Sequence, residues 1–289
     1  ASTASTSATF DPASPEYGKA YYFRVRARDE AGNWSDWSPV AYTYLARYMV
    51  DGGVYNVRHQ PVLKSMVQMP GSLAVIHQSS RYAAYVADGG NYDLSVSHAN
   101  YGAWPAMRGI TVTADIEGLD LILPPADNVV KDGGFETGIW GQWQVTGTVT
   151  PTFSTDARSG DWAALLGGAV PLGVTAGAQS KLSQTLSIPA GLTDPTLSFM
   201  VRLDDEADGS GTLRAELEGT TTVVTVTVPA GGWVHVWLPI EEDLGGQSVT
   251  VTFSAMDTPP LRLDEVSVGS ALKGGFWVYL PAVMRMVVP

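Results

Sequence analysis

The sequence predicts an all-β protein built from tandem β-sandwiches. Short segments in which apolar and polar residues alternate recur along the chain, at 22–28, 92–97, 109–114, 196–203, 221–228, 233–240 and 248–255. Such alternation is typical of a half-buried strand. Glycine-rich turn sequences, such as those at 51–53 and 88–90, separate these segments. No segment has the apolar spacing of an amphipathic helix.

Composition and charge exclude several classes of protein. The 289 residues include 17 Lys+Arg and 29 Asp+Glu, which gives a net charge of −12. A nucleic-acid-binding protein needs a positive field, so this balance disfavours that class. The absence of cysteine excludes disulfides and cysteine-ligated zinc or iron–sulfur sites. The low charged fraction of 16% and the 31 glycines are typical of turn-rich sandwiches outside cells, so we expect an extracellular or cell-surface location.

We expect neither a membrane span nor a signal peptide in this sequence. The opening run of small residues lacks the basic start and apolar centre of a secretion signal. The longest uncharged stretch, 162–180, is interrupted by glycines and a proline, so it is interpreted as strand and loop. The chain is therefore expected to be a processed product or a fragment of a longer protein.

Turn-rich boundaries divide the chain into four predicted parts, at 1–48, 49–125, 126–270 and 271–289. In the first part, residues 17–29 read YGKAYYFRVRARD and residues 31–38 read AGNWSDWS. Alternation places Tyr22, Arg24, Arg26 and Arg28 on one face of a strand. The passage resembles the last two strands of a fibronectin type III domain. That resemblance implies half a sandwich with an open apolar face. Either the other half belongs to a missing upstream part of the protein, or another strand completes the sandwich.

The second part, 49–125, reads GVYN at 53–56, QPVLKSMV at 60–67, GNYDLSV at 90–96 and DLIL at 120–123. It resembles the carboxypeptidase regulatory-like (transthyretin-like) sandwich. The resemblance implies a spacer or folding support and no catalytic role.

The third part, 126–270, reads NVVKDGGFE at 128–136, RSGDWAAL at 158–165, SQTLSIP at 183–189 and LRLDEVSV at 261–268. These segments, with Trp140 and Trp143, resemble the galactose-binding-like jelly roll of carbohydrate-binding modules. Asp132 and Arg158 depart from the asparagine and histidine that are usual in that pattern. The resemblance implies a non-catalytic sandwich that contacts glycans.

The same resemblance implies a structural Ca²⁺ ion that joins the two ends of the jelly roll. The side-chain ligands would be Glu136 and Asp264, with Ser159 and Asp161 in the matching loop. Calcium takes six to eight oxygen ligands, which carboxylates and carbonyls from separated loops can supply. The alternative is that backbone amides or a basic neighbour satisfy both carboxylates.

Glycan recognition would require aromatic faces for sugar rings and polar groups for hydroxyls. The candidates for ring stacking are Trp140, Trp162 and Trp233, and those for hydrogen bonding are Gln142 and Arg202. The alternative for each tryptophan is a place in the core, which we expect for Trp143 and Trp237.

The sequence carries no catalytic signature, so we expect no enzyme. Its four histidines form no HExxH motif, and neither a GxSxG elbow nor a phosphate-binding loop occurs. The acidic run at 204–208 lies in a Gly/Ser-rich turn and is interpreted as a solvated loop.

These observations predict a non-catalytic structural or adhesive protein of the cell surface, with a polysaccharide as possible partner. The tail at 271–289 contains the sequence FWVYLPAVMRMVVP, which resembles the ends of many secreted bacterial proteins. Donation of this tail, as a strand, to the half-sandwich of another subunit would build a filament. The alternative is an accessory region that targets a secreted glycoside hydrolase or peptidase to glycans.

Overall fold

All regular secondary structure in the described part of the chain is β-strand. A computed structural model describes residues 16–168, 177–204 and 209–271. Its strands confirm the all-β fold class. Within those ranges, no helix has the length and hydrophobicity that a membrane crossing requires. The proposed donor strand lies outside the described residues, apart from Ala271, and so does most of the acidic run at 204–208.

An antiparallel hairpin comes first, formed by β1 (Ala20–Phe23) and β2 (Ala41–Tyr44). The strand predicted at 22–28 is shorter than expected, because the regular ladder ends at Phe23. Hydrogen bonds between the two arms of the hairpin nevertheless continue. Ser38 N–H donates to the Val25 carbonyl (2.8 Å), and Ser35 N–H donates to the Ala27 carbonyl (2.9 Å). The hairpin therefore extends to the turn at 29–33.

Two small sheets follow, formed by β3 (Tyr48–Asn56), β4 (Met66–Gln68), β5 (Ala74–Gln78), β6 (Arg81–Val86), β7 (Gly90–Ser97), β8 (Met107–Val112) and β9 (Leu121–Leu123). Their strand orders are β5-β6-β3-β9 and β4-β7-β8. Both sheets contribute buried apolar side chains, among them Val50 and Ala84 from the first and Val67 and Leu94 from the second.

A jelly roll of two five-stranded antiparallel sheets forms the larger part of the fold. Its strands are β10 (Gln144–Gly147), β11 (Thr152–Ser154), β12 (Ala163–Leu166), β13 (Gln179–Ser187), β14 (Pro195–Leu203), β15 (Ser210–Glu218), β16 (Val223–Pro229), β17 (Val234–Pro239), β18 (Ser248–Met256) and β19 (Leu261–Ser270). One sheet has the order β10-β13-β18-β15-β16 and the other β11-β12-β19-β14-β17. Phe199 and Phe253 meet edge to face between them, with ring centroids 5.1 Å apart. Each large apolar side chain buried in this way stabilises the fold by about 1.5–3 kcal/mol.

A β-bulge interrupts the pairing of β14 with β19. Ser198 pairs with Ser267, but Met200 pairs with Asp264. Two residues of β19, Glu265 and Val266, therefore lie opposite the single residue Phe199 of β14. Glu265 adopts a φ of +52° at this point. A bulge of this kind bends the strand and redirects its side chains.

The contacts divide the chain into two compact units. The described residues of the first unit lie in 16–54, Pro61–Val96 and Ala106–Leu121. The second unit contains the jelly roll from Ile122 onward, together with Tyr55–Gln60 and Ser97–Pro105. The predicted domain boundaries after residues 48, 125 and 270 stay predictions.

Candidate functional site

The carboxylate of Glu136 is bound by backbone amides of one loop of the jelly roll. Asp161 N–H donates to both oxygens of Glu136 at 3.0 and 2.9 Å, and Trp162 N–H donates to Oε1 at 3.1 Å. The loop can approach so closely because Gly160 has no side chain. A Cβ built on Gly160 would overlap the Glu136 carboxylate, and its φ of +69° also favours glycine.

The carboxylate of Asp264 is bound by the preceding residues of the same loop. Arg158 N–H and Ser159 N–H donate to Oδ2 at 2.8 and 3.2 Å, and Glu265 N–H donates to Oδ1 at 2.7 Å. A Cβ built on Gly134 would lie 3.8 Å from both Oδ1 of Asp264 and Cγ of Glu136. The two carboxylates therefore flank one glycine. The four predicted calcium-site residues are together in this region.

Burial opposes the ionisation of two carboxyl groups beside this loop. It raises the pKa of Asp264 well above its usual range, and the adjacent Glu265 carboxyl adds to the rise. Burial also raises the pKa of Glu265 to about 7, although the Arg158 guanidinium opposes the change. Buried carboxylates favour any cation that can reach them, since desolvation penalises their charged form.

The donor set in this region fits a calcium ion only in part. Glu136 and Asp264 supply hard oxygen atoms, but amides already occupy several of their acceptor positions. In the described ranges, no three His, Asp or Glu side chains converge as a metal cluster. An ion here would need backbone carbonyls and water to complete its shell. Calcium thus stays a prediction, as do the assigned ligands.

Two of the predicted sugar-stacking residues lie together in an aromatic cluster. Trp140 is stacked on Phe153, with centroids 4.0 Å apart and planes 19° apart, and Trp162 meets the same ring edge to face at 6.0 Å. Phe153 thus covers one face of Trp140. Both tryptophans also pack against the core. Trp143 is buried, as expected, and its indole N–H donates to a backbone carbonyl.

Arg202 and Trp233 lie elsewhere, beside strands β14 and β17. Arg202 forms an ion pair with Asp156 at 3.3 Å, and its Nε–H donates to the Gly231 carbonyl at 3.2 Å. Trp233 is partly buried against a small apolar cluster that includes Met200. Neither residue takes part in the ring contacts around Phe153 that join Trp140 and Trp162.

Gln142 lies in a third place, an open groove of about 520 Å³. Strand β10, strand β13 and the segment before β10 form its walls. Polar side chains dominate the lining, which consists of Asn128, Val129, Lys131, Gln142, Gln144, Gln184, Thr185, Leu186 and Ser187. Of the predicted glycan contacts, only Gln142 belongs to this groove.

One groove residue has a structural role. The amide of Gln184 accepts from Lys131 N–H and donates to the Lys131 carbonyl, both at 2.8 Å. This pair of bonds attaches the segment before β10 to strand β13. The exposed side chains of Gln142, Gln144 and Lys131 therefore provide the groove's accessible polar groups. Sequence reasoning missed the last two: Gln144 lies two residues after Gln142 along the chain, whereas Lys131 is held beside it by its hydrogen bonds to Gln184.

The outer face of β14 and β17 carries a histidine pair that sequence reasoning also missed. His235 Nε2 lies 2.8 Å from Ser198 Oγ, and His235 Nδ1 lies 2.6 Å from Nε2 of His59. Burial, the charge of His59 and that of Arg158 together lower the pKa of His235 to about 3. The order serine–histidine–histidine has the connectivity of a nucleophile with its base and an orienting group.

The surroundings of Ser198 do not suit catalysis. Its side chain is buried, and β14 pairs with β19 on one edge and with β17 on the other. A nucleophilic hydroxyl must be accessible to its substrate, and this one is buried within the sheet. The hydrogen bonds from Ser198 through His235 to His59 instead attach residues 55–60 to the jelly roll. Arg58 supports this attachment, because its Nε–H donates to Thr196 Oγ1 at 2.8 Å.

Trp237 is not the core residue that we expected. It lies on the edge strand β17 with 39% of its surface exposed, and the Arg58 guanidinium is 6.0 Å from its ring. Alternation places Trp237 on the same side of β17 as His235, which is the outer side. The expectation failed because apolar residues on that strand do not mark which side faces the core.

In comparisons with known proteins, no family model and no curated protein matches this sequence. Solved structures match about half of the chain. They include the TmCBM61 module in complex with β-1,4-galactotriose (20% identity, TM-score 0.37, 50% of this chain and 98% of that one). They also include the C-terminal family 22 carbohydrate-binding module of Clostridium thermocellum Xyn10B (21% identity, TM-score 0.37, 51% and 98%). A third is the K3 cleaved adhesin domain of Lys-gingipain from Porphyromonas gingivalis W83 (17% identity, TM-score 0.38, 50% and 98%).

Proposed function

We propose that this is a non-catalytic extracellular protein whose jelly roll binds neutral glycans. The groove beside Gln142 is the observation that carries the proposal. Its volume of about 520 Å³ lies within the range of about 300–1,000 Å³ that is usual for ligand pockets. The same groove would serve an accessory region that targets a secreted glycoside hydrolase or peptidase.

The chemistry of the groove suits a polyhydroxyl ligand. The side-chain amides of Gln142 and Gln144 can each donate and accept, as sugar hydroxyls require. Thr185 and Ser187 add hydroxyl groups to the same lining, and Lys131 contributes a single cation. None of the described residues that line the groove is aromatic, so binding here would rest on hydrogen bonds more than on ring stacking.

Binding of the full chain to β-1,4-galactan and to xylan tests this function, by affinity electrophoresis and by titration calorimetry. We expect the double variant Gln142→Ala/Gln144→Ala to bind at least tenfold more weakly, because each lost hydrogen bond is worth about 0.5–1.5 kcal/mol. The matched control is Thr225→Ala/Thr227→Ala, on β16 at the far edge of the same sheet.

Two outcomes would refute the groove as a glycan site. In the first, the wild-type chain binds no neutral glycan. In the second, the Gln142/Gln144 variant binds as tightly as the Thr225/Thr227 control.

We further propose that a Ca²⁺ ion binds between Glu136 and Asp264. The support is that one loop holds both carboxylates next to Gly134. The ion would offset the charge that burial makes unfavourable at Asp264 and would connect the start of the jelly roll to its last strand.

Self-association by strand donation is a second candidate function. Its support is the uncovered face of the first hairpin, where Phe23 and Val25 are 46% and 70% exposed. The occupant would be the apolar tail, 276–289, of another copy of this chain, added as a strand. Both partners lie on every subunit, so the contact would repeat head to tail.

Electron microscopy and sedimentation of the full chain and of a chain that ends at residue 275 test this assembly. We expect polymers from the full chain and monomers from the shortened one. Polymers from both chains, or monomers from both, would disprove strand donation by the tail.

A further inference from the structure

The first hairpin carries a ladder of five planar groups, outside the jelly roll. Arg24 lies over Trp37 at 4.5 Å, and Arg26 lies between the two indoles, at 4.6 Å from Trp37 and 4.1 Å from Trp34. Arg28 lies over Trp34 at 5.5 Å. The order is therefore Arg24–Trp37–Arg26–Trp34–Arg28. Guanidinium groups and indole rings alternate along it, which is the arrangement of cation–π stacking.

The ladder is accessible, and within the described ranges its cations have no carboxylate partner. Trp34 and Trp37 are 51% and 46% exposed. Among the residues that the structure describes, no carboxylate oxygen lies within 4.0 Å of the three guanidinium groups. The nearest acid in sequence, Asp29, instead accepts from the backbone and side-chain N–H groups of Asn33 at 2.8 and 3.0 Å.

Cation–π stacking alone does not explain why three arginines, and not neutral residues, lie on this face of the hairpin. Alternate residues of a strand are about 6.8 Å apart, so the three guanidinium groups repel one another. Uncharged side chains could cover the indoles without that repulsion. Arg28 donates its Nε–H to the Gly32 carbonyl at 3.1 Å, which leaves its terminal amino groups for other partners. A row of oxyanions would offset the repulsion.

We propose that this ladder is a binding site for acidic polysaccharides. A guanidinium group binds a carboxylate or sulfate with two parallel hydrogen bonds, and a linear acidic glycan presents such groups at regular intervals. The indole faces are covered by the arginines, but the exposed indole edges can contact the sugar rings that carry the charges. The net charge of −12 does not prevent this, because physiological salt screens charges more than about 8 Å away.

Binding of the full chain to polygalacturonate and to dextran sulfate tests the proposal, with neutral dextran as the reference polymer. We expect both acidic polymers to bind at 50 mM NaCl and to release at 500 mM. The variant Arg24→Gln/Arg26→Gln/Arg28→Gln should bind at least tenfold more weakly. The charge-matched control is Arg81→Gln/Arg108→Gln/Arg214→Gln, which should bind like the wild type.

Two further variants separate a binding role from a structural one. Arg26→Gln alone removes the central cation and should weaken binding even if the triple variant fails to fold. Gln142→Ala/Gln144→Ala should leave acidic-polymer binding unchanged, so failure of the neutral-glycan site would not affect this result. The proposal is wrong if the acidic polymers bind no better than dextran, if the control triple loses as much affinity, or if single-stranded DNA binds equally well.

Discussion

Glu136 and Asp264 accept hydrogen bonds from adjoining halves of one loop. Glu136 accepts from the N–H groups of Asp161 and Trp162. Asp264 accepts from the N–H groups of the two residues before Gly160. One carboxylate precedes the first strand of the jelly roll, and the other belongs to its last strand. The loop therefore connects the two ends of the domain through hydrogen bonds to charged acceptors, which are among the stronger kinds.

Calcium should stabilise the folded chain through these carboxylates. A ligand present at 100 times its dissociation constant adds about 2.7 kcal/mol to the free energy of unfolding. We expect the wild-type melting temperature to rise between EDTA and millimolar CaCl₂. The rise should disappear in Glu136→Gln/Asp264→Asn, measured by differential scanning calorimetry. It should persist in the control Glu241→Gln/Asp243→Asn, in which both residues are exposed. An equal melting temperature of the wild type with CaCl₂ and with EDTA would contradict the proposal.

Gly160→Ala should disrupt the contact between the loop and Glu136. The new Cβ would overlap the carboxylate, and the backbone would keep an unfavourable φ. We expect a loss of about 3 kcal/mol in the free energy of unfolding, measured by urea denaturation. Gly191→Ala is the matched control, because Gly191 has a similar φ of +81° but open space around it. That control should cost about 1–2 kcal/mol. Similar losses in both variants would show that overlap at Glu136 is unimportant.

The stability of the chain should fall in acid because of His235. The folded state lowers its pKa from 6.5 to about 3, so the unfolded chain binds the proton more readily over that interval. The stabilisation is complete above pH 6.5 and is lost as the pH decreases toward 3. Between pH 7 and pH 4 this histidine should account for roughly 3 kcal/mol.

Urea denaturation at both pH values tests this prediction. The variant His235→Gln should lose about 3 kcal/mol less than the wild type between pH 7 and pH 4, whereas His77→Gln, at an exposed position, should follow the wild type. An unchanged pH dependence in the His235 variant would refute the assignment.

Arg262 should matter more for stability than a surface arginine. It is buried, and its Nη2 lies 3.3 Å from carboxylate oxygens of both Asp156 and Asp204. Replacement by methionine would remove the cation that these two acids share, although Asp156 would keep its ion pair with Arg202, so we expect a loss of about 2 kcal/mol. Arg214→Met removes a half-exposed pair with Glu216 and should cost at most about 1 kcal/mol. Thermal unfolding of both variants gives the comparison, and equal effects would contradict it.

The sequence predicted the strands of the jelly roll well, because alternation reports a surface with one buried side. The segment predicted at 248–255 corresponds to β18 at Ser248–Met256, and that at 196–203 corresponds to β14 at Pro195–Leu203. The hairpin was harder to predict. There, Val25 and its neighbours alternate without being buried, and the regular ladder stops early.

A candidate site could be predicted only when its residues belong to sequence segments that resemble a known family. Glu136 and Asp264 belong to two such segments, and they do lie together. By contrast, the groove around Gln142 depends on the order of the strands in the sheet. The pairing of His59 with His235 depends on a segment, distant in sequence, that folds onto the sheet. Alternation also could not tell that Trp237 faces outward, because both sides of β17 carry apolar residues.

The extra residue in β19 determines how that strand can change in evolution. Leu263 and Val266 both reach the core although two residues, Asp264 and Glu265, lie between them. In a strand with a strict two-residue repeat, Glu265 would point into the core. If one residue were deleted from the bulge, the two-residue repeat would be restored and only one residue would remain between Leu263 and Val266. Asp264 and Glu265 could then not both be kept, so the length of β19 and its two carboxylates must change together.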